Sequence, residues 1–172
     1  ARDEYAYVRP LRRSDCAALR AWRSDPAIAS SLAGPKLKQL LSRPGDWDSR
    51  HCQMDVFAAV RKADEAVIGV LGYTQIDPRT KQAEFFKMIG DPGERGKGHA
   101  GRATRVIIDY GFEVLGLNRI YLYTLDGNIK NIRLNQSLGF RFEGLLQQAV
   151  MMDYRFRDVA VMALLRSQWP QQ

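Results

Sequence analysis

The sequence predicts a single α/β (α+β) domain, residues 1–172, with a mixed, mostly antiparallel sheet of seven strands and about four flanking helices. Two observations carry this prediction. Three apolar runs in the middle of the chain follow one another across short turns, as in an antiparallel meander. Later apolar runs alternate with segments of helical periodicity. At 172 residues the chain also has the size of one ordinary domain.

The first third of the chain predicts one strand and short helices. Ser14 is a candidate N-cap, Asp25-Pro26 ends the helix that follows it, and Gly34-Pro35 interrupts the next helical stretch. The elements expected here are a strand over 5–9, a helix between Ser14 and Asp25, one or two short helices within 27–41, and a polar loop over 42–53.

The rest of the chain predicts the meander and an alternating region. The meander strands are separated by polar turns at 62–65 and 77–80. In order, we expect strands over 54–60, 67–76 and 83–89, a glycine-rich stretch, a helix over about 98–115, a strand over 119–125, a helix over 130–138, and strands over 140–148 and 155–165.

The net charge of +7 favours an anionic partner, either nucleic acid or a phosphorylated cofactor. The cations are spread along the chain without the aromatic-rich basic pattern of single-strand binders, so we expect no nucleic-acid partner. Cys16 and Cys52 lie far apart with no nearby histidine, which indicates reduced thiols and no metal site. We find no signal-peptide pattern and no membrane-length apolar run, and we expect a cytoplasmic protein without a membrane partner.

The stretch GERGKGHAG, Gly93 to Gly101, combines bare backbone with positive charge where a helix is expected to begin. Such a junction suits a phosphate group, because the first N–H groups of a helix are unpaired. A nucleotide-binding P-loop fails here, since Asp91 stands where its first glycine should be and Gly98 where its Ser or Thr should be. A dinucleotide fingerprint is matched by the glycines, but the acidic residue expected about 20 positions later is absent.

A third phosphate motif, Gln/Arg-x-x-Gly-x-Gly/Ala, is filled by Arg95, Gly98 and Ala100. It resembles the pyrophosphate loop of the GNAT superfamily of acetyl-CoA-dependent N-acetyltransferases. The resemblance extends over 66–146. The opening VRPLRRSDCAALRAWRSDP and the closing DYRFRDVAVMALL are similar to the subgroup of ribosomal-protein N-terminal and spermidine acetyltransferases. Residues 34–55 resemble nothing in that subgroup.

This resemblance implies a GNAT fold whose sheet splays at the strand before the loop. It also implies transfer of acetyl from acetyl-CoA to a primary amine by direct attack in a ternary complex. Two other functions stay open: a non-catalytic acyl-CoA-binding or sensing module on the same fold, and a basic nucleic-acid-binding domain. A homodimer is also left open.

The resemblance assigns cofactor binding mainly to main-chain groups. The residues are Met88 and Ile89 on the splayed strand, Arg95, Gly96, Lys97, Gly98, His99, Ala100, Gly101 and Arg102 in the loop, and Asn128. The side chains of Met88 and Ile89 are expected in the core, and the side chain of His99 is expected to be incidental. Asn128 is expected both to cap the following helix and to contact the cofactor.

Two residues are assigned to catalysis. Glu84 stands in the apolar strand AEFFKMIG, where similar acetyltransferases have a candidate base that acts through water. The alternative for Glu84 is an ion pair with Arg79, Lys81 or Lys87. Asn135 stands where related sequences often have a tyrosine placed to protonate the departing thiolate, and an amide cannot give up a proton in this way.

The identity of the acid is therefore open. Tyr121 and Tyr123 on the adjacent strand are candidates for it, although packing is the commoner role of a strand tyrosine.

The acceptor pocket of the family is lined by the first helices and the last strand pair. Here those stretches contain Arg23, Lys36 and Lys38 against Asp25 and Asp153. A polyamine would need an acidic pocket. The charges therefore favour the α-amine of a peptide or protein, or an amine on a neutral or anionic small molecule such as an amino sugar.

Overall fold

The computed structural model describes residues 5–29, 35–43 and 54–170, which form one seven-stranded mixed sheet with helices on both faces. The strands are β1 (Ala6–Pro10), β2 (Met54–Arg61), β3 (Val67–Asp77), β4 (Gln82–Ile89), β5 (Arg119–Leu125), β6 (Arg141–Met152) and β7 (Arg155–Leu165). The α-helices in this part of the chain are α1 (Cys16–Arg23), α2 (Pro26–Ala29), α3 (Pro35–Ser42), α4 (His99–Asp109) and α5 (Ile129–Ser137). The predicted fold class is confirmed, with five α-helices where about four were expected.

The sheet has the order β1-β2-β3-β4-β5-β7-β6 and is antiparallel except between β4 and β5. A parallel pair needs a long crossover, and α4 provides it. The two strands pair only over 82–84 of β4 and 119–121 of β5. From Phe85 to Ile89, β4 pairs only with β3 and diverges from β5. The predicted splay is therefore confirmed.

Two apolar cores lie on opposite faces of the sheet. Because successive side chains of a strand alternate, Phe85 joins the core under α4 and α5, while Phe86 and Met88 join the core under α1 and α3. Each core contains fully buried large side chains, such as Phe112 on the first face and Leu19 on the second. Burying one such side chain stabilises the fold by roughly 1.5–3 kcal/mol.

The start of the first helix differs from the prediction. Ser14 is not its N-cap, because Arg13–Asp15 forms a 3₁₀ turn and α1 begins at Cys16. The carboxylate of buried Asp15 accepts the backbone N–H of Arg12 at 2.8 Å and pairs with Arg9 at 2.7 Å. This contact with β1 holds the 3₁₀ turn in place. The spacing of apolar residues along the helix does not predict such a contact.

The remaining elements follow the predicted order, with shifted ends. β6 continues to Met152, four residues past the predicted end, and forms a long hairpin with β7. Residues 30–34 and 44–53 lie outside the described residues, so most of the predicted loop over 42–53, including Cys52, does too. Among the helices of the described residues, none has the length and apolar character needed to cross a membrane.

Candidate active site

The glycine-rich loop joins the splayed end of β4 to α4. Gly96 and Gly98 adopt left-handed conformations, with φ of +81° and +83°. Residues other than glycine adopt this conformation at a cost, which explains the glycines. The N-cap residue of α4 is Gly98, which offers no capping side chain. Helix geometry leaves the first N–H groups of a helix without intrahelical partners. This end of α4 therefore has the form of an anion site.

A buried carboxylate, Glu94, organises the back of this loop. It is 4% exposed and collects donors from three separate parts of the chain. Its Oε1 atom accepts from Tyr5 Oη at 3.2 Å, Arg61 Nη1 at 2.9 Å and Lys97 Nζ at 3.2 Å, and its Oε2 atom lies 3.1 Å from His99 Nε2. Burial alone would raise the pKa of Glu94, but the hydrogen bonds from Lys97 and Arg61 outweigh it and lower the pKa.

The side chain of His99 belongs to this network, so the prediction that it is incidental was wrong. The residue is 4% exposed, and its ring stacks on Tyr5 at 5.0 Å. Arg102 Nη2 lies 2.9 Å from His99 Nδ1. A guanidinium can only donate, so these partners assign the proton to Nε2, which donates to Glu94. Sequence reasoning missed this role because Tyr5 and Glu94 are distant from each other along the chain.

The side chain of Arg95 holds the loop to the rest of the protein. It donates to the carbonyl oxygens of Ile89 at 3.2 Å and Gly90 at 2.9 Å, and it pairs with Asp25 at 2.6 Å. The hydrogen bond from Arg95 also lowers the pKa of Asp25. The guanidinium thus connects the end of β4 to the segment between α1 and α2.

The other predicted cofactor residues have mixed structural roles. Met88 is buried in the core under α1 and α3, as expected, and Ile89 is half-buried. Asn128 caps α5, because its Oδ1 atom accepts the backbone N–H of Asn131 at 3.3 Å. A Cβ on Gly101 would lie 3.2 Å from Leu134 Cδ1, so this glycine also serves the close packing of α4 on α5.

Glu84 is buried on the sheet face that carries α1 and α3. It is 4% exposed, and Gln75 Nε2 donates to its Oε2 atom at 2.7 Å. Tyr121 is its register partner on β5. Burial and then the charge of Glu84 raise the pKa of Tyr121. The face is thus polar at the point where β4 and β5 begin to separate.

Lys87 and Asn135 meet on the opposite face. The Lys87 ammonium donates to Oδ1 of Asn135, which is wholly buried on α5. The ammonium also lies 5.3 Å from the centroid of the Phe85 ring. From the sequence, Lys87 is expected only as a possible ion-pair partner of Glu84. Its position two residues after Phe85, on the same face of the strand, was the signal that could have placed it near α5.

An open parallel pair of strands beside a glycine-rich helix start is the arrangement expected of an acyl-CoA acetyltransferase fold. Residues 6–141 match the family model described as the acetyltransferase (GNAT) domain. The chain therefore belongs to the GNAT acetyltransferase family.

Relatives within the family include several acetyltransferases. The chain is 36% identical over 117 residues to the uncharacterized N-acetyltransferase p20 of Bacillus licheniformis, covering 68% of this chain and 65% of that protein. It is 33% identical over 110 residues to spermidine N(1)-acetyltransferase of Escherichia coli K12, covering 64% of this chain and 59% of that protein. Both matches thus span less than two thirds of the relative's length.

Solved structures show the same fold along nearly the whole chain. The crystal structure of spermidine N-acetyltransferase from Vibrio cholerae in complex with CoA and spermine superimposes with a TM-score of 0.84 at 25% identity. The superposition covers 96% of this chain and 98% of that one. The fold predicted from the sequence is thereby matched by an enzyme named for acetyl transfer to a polyamine.

Proposed function

We propose that this protein transfers acetyl from acetyl-CoA to a primary amine by direct attack in a ternary complex. The observation that carries the proposal is the gap between β4 and β5 at the end of β4, from which the glycine-rich loop leads to the glycine-capped N-terminus of α4. On the side facing the gap, residues 85–89 have backbone groups without a β5 partner. An extended, amide-bearing arm can pair with such a strand edge.

The loop suits the phosphates of CoA. A Cβ on Gly96 would meet nothing within 4 Å, so the backbone there faces open space. The amides of Gly96 to Gly101 and the start of α4 supply N–H donors and a partial positive charge. Lys97, which also pairs with Glu94, and Arg102 add cationic side chains. The residues assigned to the cofactor from the sequence fit this group, chiefly through their main chain.

Glu84 is the base of the proposed reaction. An amine must lose a proton as it attacks the thioester carbonyl, and a carboxylate within reach of a water can receive it. Glu84 has the required burial and lies where the two strands separate. The hydrogen bond from Gln75 orients the carboxylate.

The acceptor is assigned from charge. Asp25 is paired with Arg95, so its carboxylate is already compensated. The stretches expected to line the acceptor pocket also contain Asp153, but Arg23, Lys36 and Lys38 leave them with an excess of positive charge. That excess disfavours a polyamine, and we therefore propose an α-amine of a peptide or protein, or an amine on a neutral or anionic small molecule. An α-amine of pKa near 8 is roughly 10% neutral at pH 7, whereas a lysine-like amine is below about 0.1%. The names of the relatives make spermidine the second candidate.

We also propose a cytoplasmic location and association of two copies. Cys16 is a free, buried thiol, which suits a reducing compartment. The hairpin of β6 and β7 exposes Leu146, Met151 and Phe156, and such apolar patches favour protein contacts. Light scattering on the purified protein tests the association, and a monomer at all concentrations would contradict it.

The enzymatic proposal is tested by release of the CoA thiol over a panel of peptides, amino sugars and spermidine. We expect amine-dependent release, fastest with an α-amine or amino sugar. Spermidine turning over faster than every other acceptor would overturn the acceptor assignment alone. CoA binding without release in any reaction would favour a sensing module. Salt-sensitive binding of DNA or RNA without CoA affinity would favour a nucleic-acid-binding domain.

A further inference from the structure

A lysine bridges the gap that the proposed function gives to the thioester arm. Lys87 lies on the part of β4 that has left β5, and its ammonium contacts Asn135 on α5. The Nδ2 atom of Asn135 is buried and has no hydrogen-bond partner in the part of the chain described. One ammonium and one unsatisfied amide donor thus lie side by side at the gap.

This contact is a costly way to join a strand to a helix. Lys87 is half-buried, and an ammonium partly withdrawn from water without a carboxylate is destabilising. An apolar pair of similar volume would pack better. Burial lowers the pKa of Lys87 to about 7, and no charged group of the described residues contributes to the shift. Its ammonium contacts the Asn135 amide and the Phe85 ring, neither of which titrates.

We infer that Lys87 donates the proton that the departing thiol acquires during acetyl transfer, an inference that rests on the proposed function. The amine nitrogen bonds to the carbonyl carbon, and the C–S bond breaks with its electron pair on sulfur. A proton from Lys87 Nζ converts the thiolate to a thiol, and Lys87 then regains a proton from solvent. The surplus proton of the amine passes through water to Glu84.

The acidities are matched to this step. The Lys87 ammonium, with its pKa of about 7, is a stronger acid than a thiol of pKa near 8.5, so transfer to the thiolate is favoured by about 30-fold. Asn135 keeps its own protons and is a positioning residue. Its Oδ1 atom holds the ammonium, and its unpartnered Nδ2 is a second donor for a developing negative charge.

The test is the pH dependence of kcat/KM for the wild type, Lys87→Gln, Lys87→Arg and the control Lys62→Gln, with CoA binding measured in parallel. The glutamine of Lys87→Gln keeps a hydrogen-bond donor for Asn135. The arginine of Lys87→Arg keeps the positive charge but does not release its proton. Lys62 is an exposed turn residue. In the wild type and the control, we expect kcat/KM, calculated for the neutral form of the amine, to fall above a pKa of about 7. In both Lys87 variants this decrease at high pH should disappear. Their kcat/KM at pH 7 should also be at least about tenfold lower than that of the wild type.

Three other outcomes of this experiment would contradict the role given to Lys87 or the proposed function. Full activity in Lys87→Arg would mean that charge, not proton transfer, is needed. An alkaline limb that survives in Lys87→Gln would reduce Lys87 to a structural contact, while the proposed function would stand. A wild type that binds CoA but releases no thiol with any amine would overturn the proposed function and this inference together.

Discussion

Replacing Glu84 by glutamine should remove most of the activity while leaving the fold intact. In the structure, Gln75 donates to one carboxylate oxygen, and a glutamine at position 84 can offer its carbonyl oxygen to the same donor. The change therefore replaces a charge-assisted hydrogen bond by a neutral one, which costs about 1 kcal/mol of unfolding free energy. For a domain of this size, that lowers the melting temperature by about 2–4 °C.

The catalytic effect should be much larger than the structural one. Loss of a general base lowers kcat/KM by about 10²–10⁴, or about 2.7–5.5 kcal/mol of transition-state free energy. The loss should shrink as the pH rises toward the pKa of the amine, because more acceptor arrives already neutral.

The assay is thiol release from pH 6 to 9 with one good acceptor, alongside a melting curve. Glu113→Gln makes the same chemical change at an exposed surface ion pair and should change neither quantity appreciably. If Glu84→Gln retains wild-type kcat/KM across this range, the carboxylate has a structural role only.

Three further variants test the loop and the gap. Gly98→Val should abolish CoA binding in calorimetry, because φ is +83°, a conformation that a β-branched residue rarely adopts. Unchanged affinity would show that the loop does not hold the phosphates. His99→Ala should weaken CoA binding by about tenfold, since it removes one of the partners of the carboxylate that shapes the loop; binding as tight as wild type would show that the network does not shape the site. Asn135→Asp should raise the pKa of the neighbouring lysine above about 7 and move the alkaline limb of kcat/KM upward, because a carboxylate favours the ammonium form. If kcat/KM falls at the same pH in Asn135→Asp as in the wild type, this lysine does not cause the decrease.

Local chemistry explains why the strands and the loop could be predicted from the sequence. The turn residues at 62–65 and 77–80 end the meander strands, and the glycines mark positions that require left-handed backbone. The splay of β4 from β5 was implied by family resemblance, because nothing in the periodicity of either strand specifies where pairing stops.

The errors arose where contacts join distant parts of the chain. His99 is held by Tyr5 and Glu94, and Tyr5 is 89 positions away from Glu94 along the chain. Lys87 and Asn135 are 48 positions apart. Periodicity assigns each of these residues a face of a strand or helix, but only the packing of the elements decides which side chains meet.

Two backbone segments form the proposed binding site for acetyl-CoA: the edge of β4 at 85–89 that faces the gap, and the loop from Gly96 to Arg102. Amide hydrogen exchange with and without CoA, followed by mass spectrometry, reports on these segments directly. We expect CoA to slow exchange in both, since their N–H groups gain acceptors from the bound arm and phosphates. CoA binding with protection confined to other parts of the chain would contradict the account.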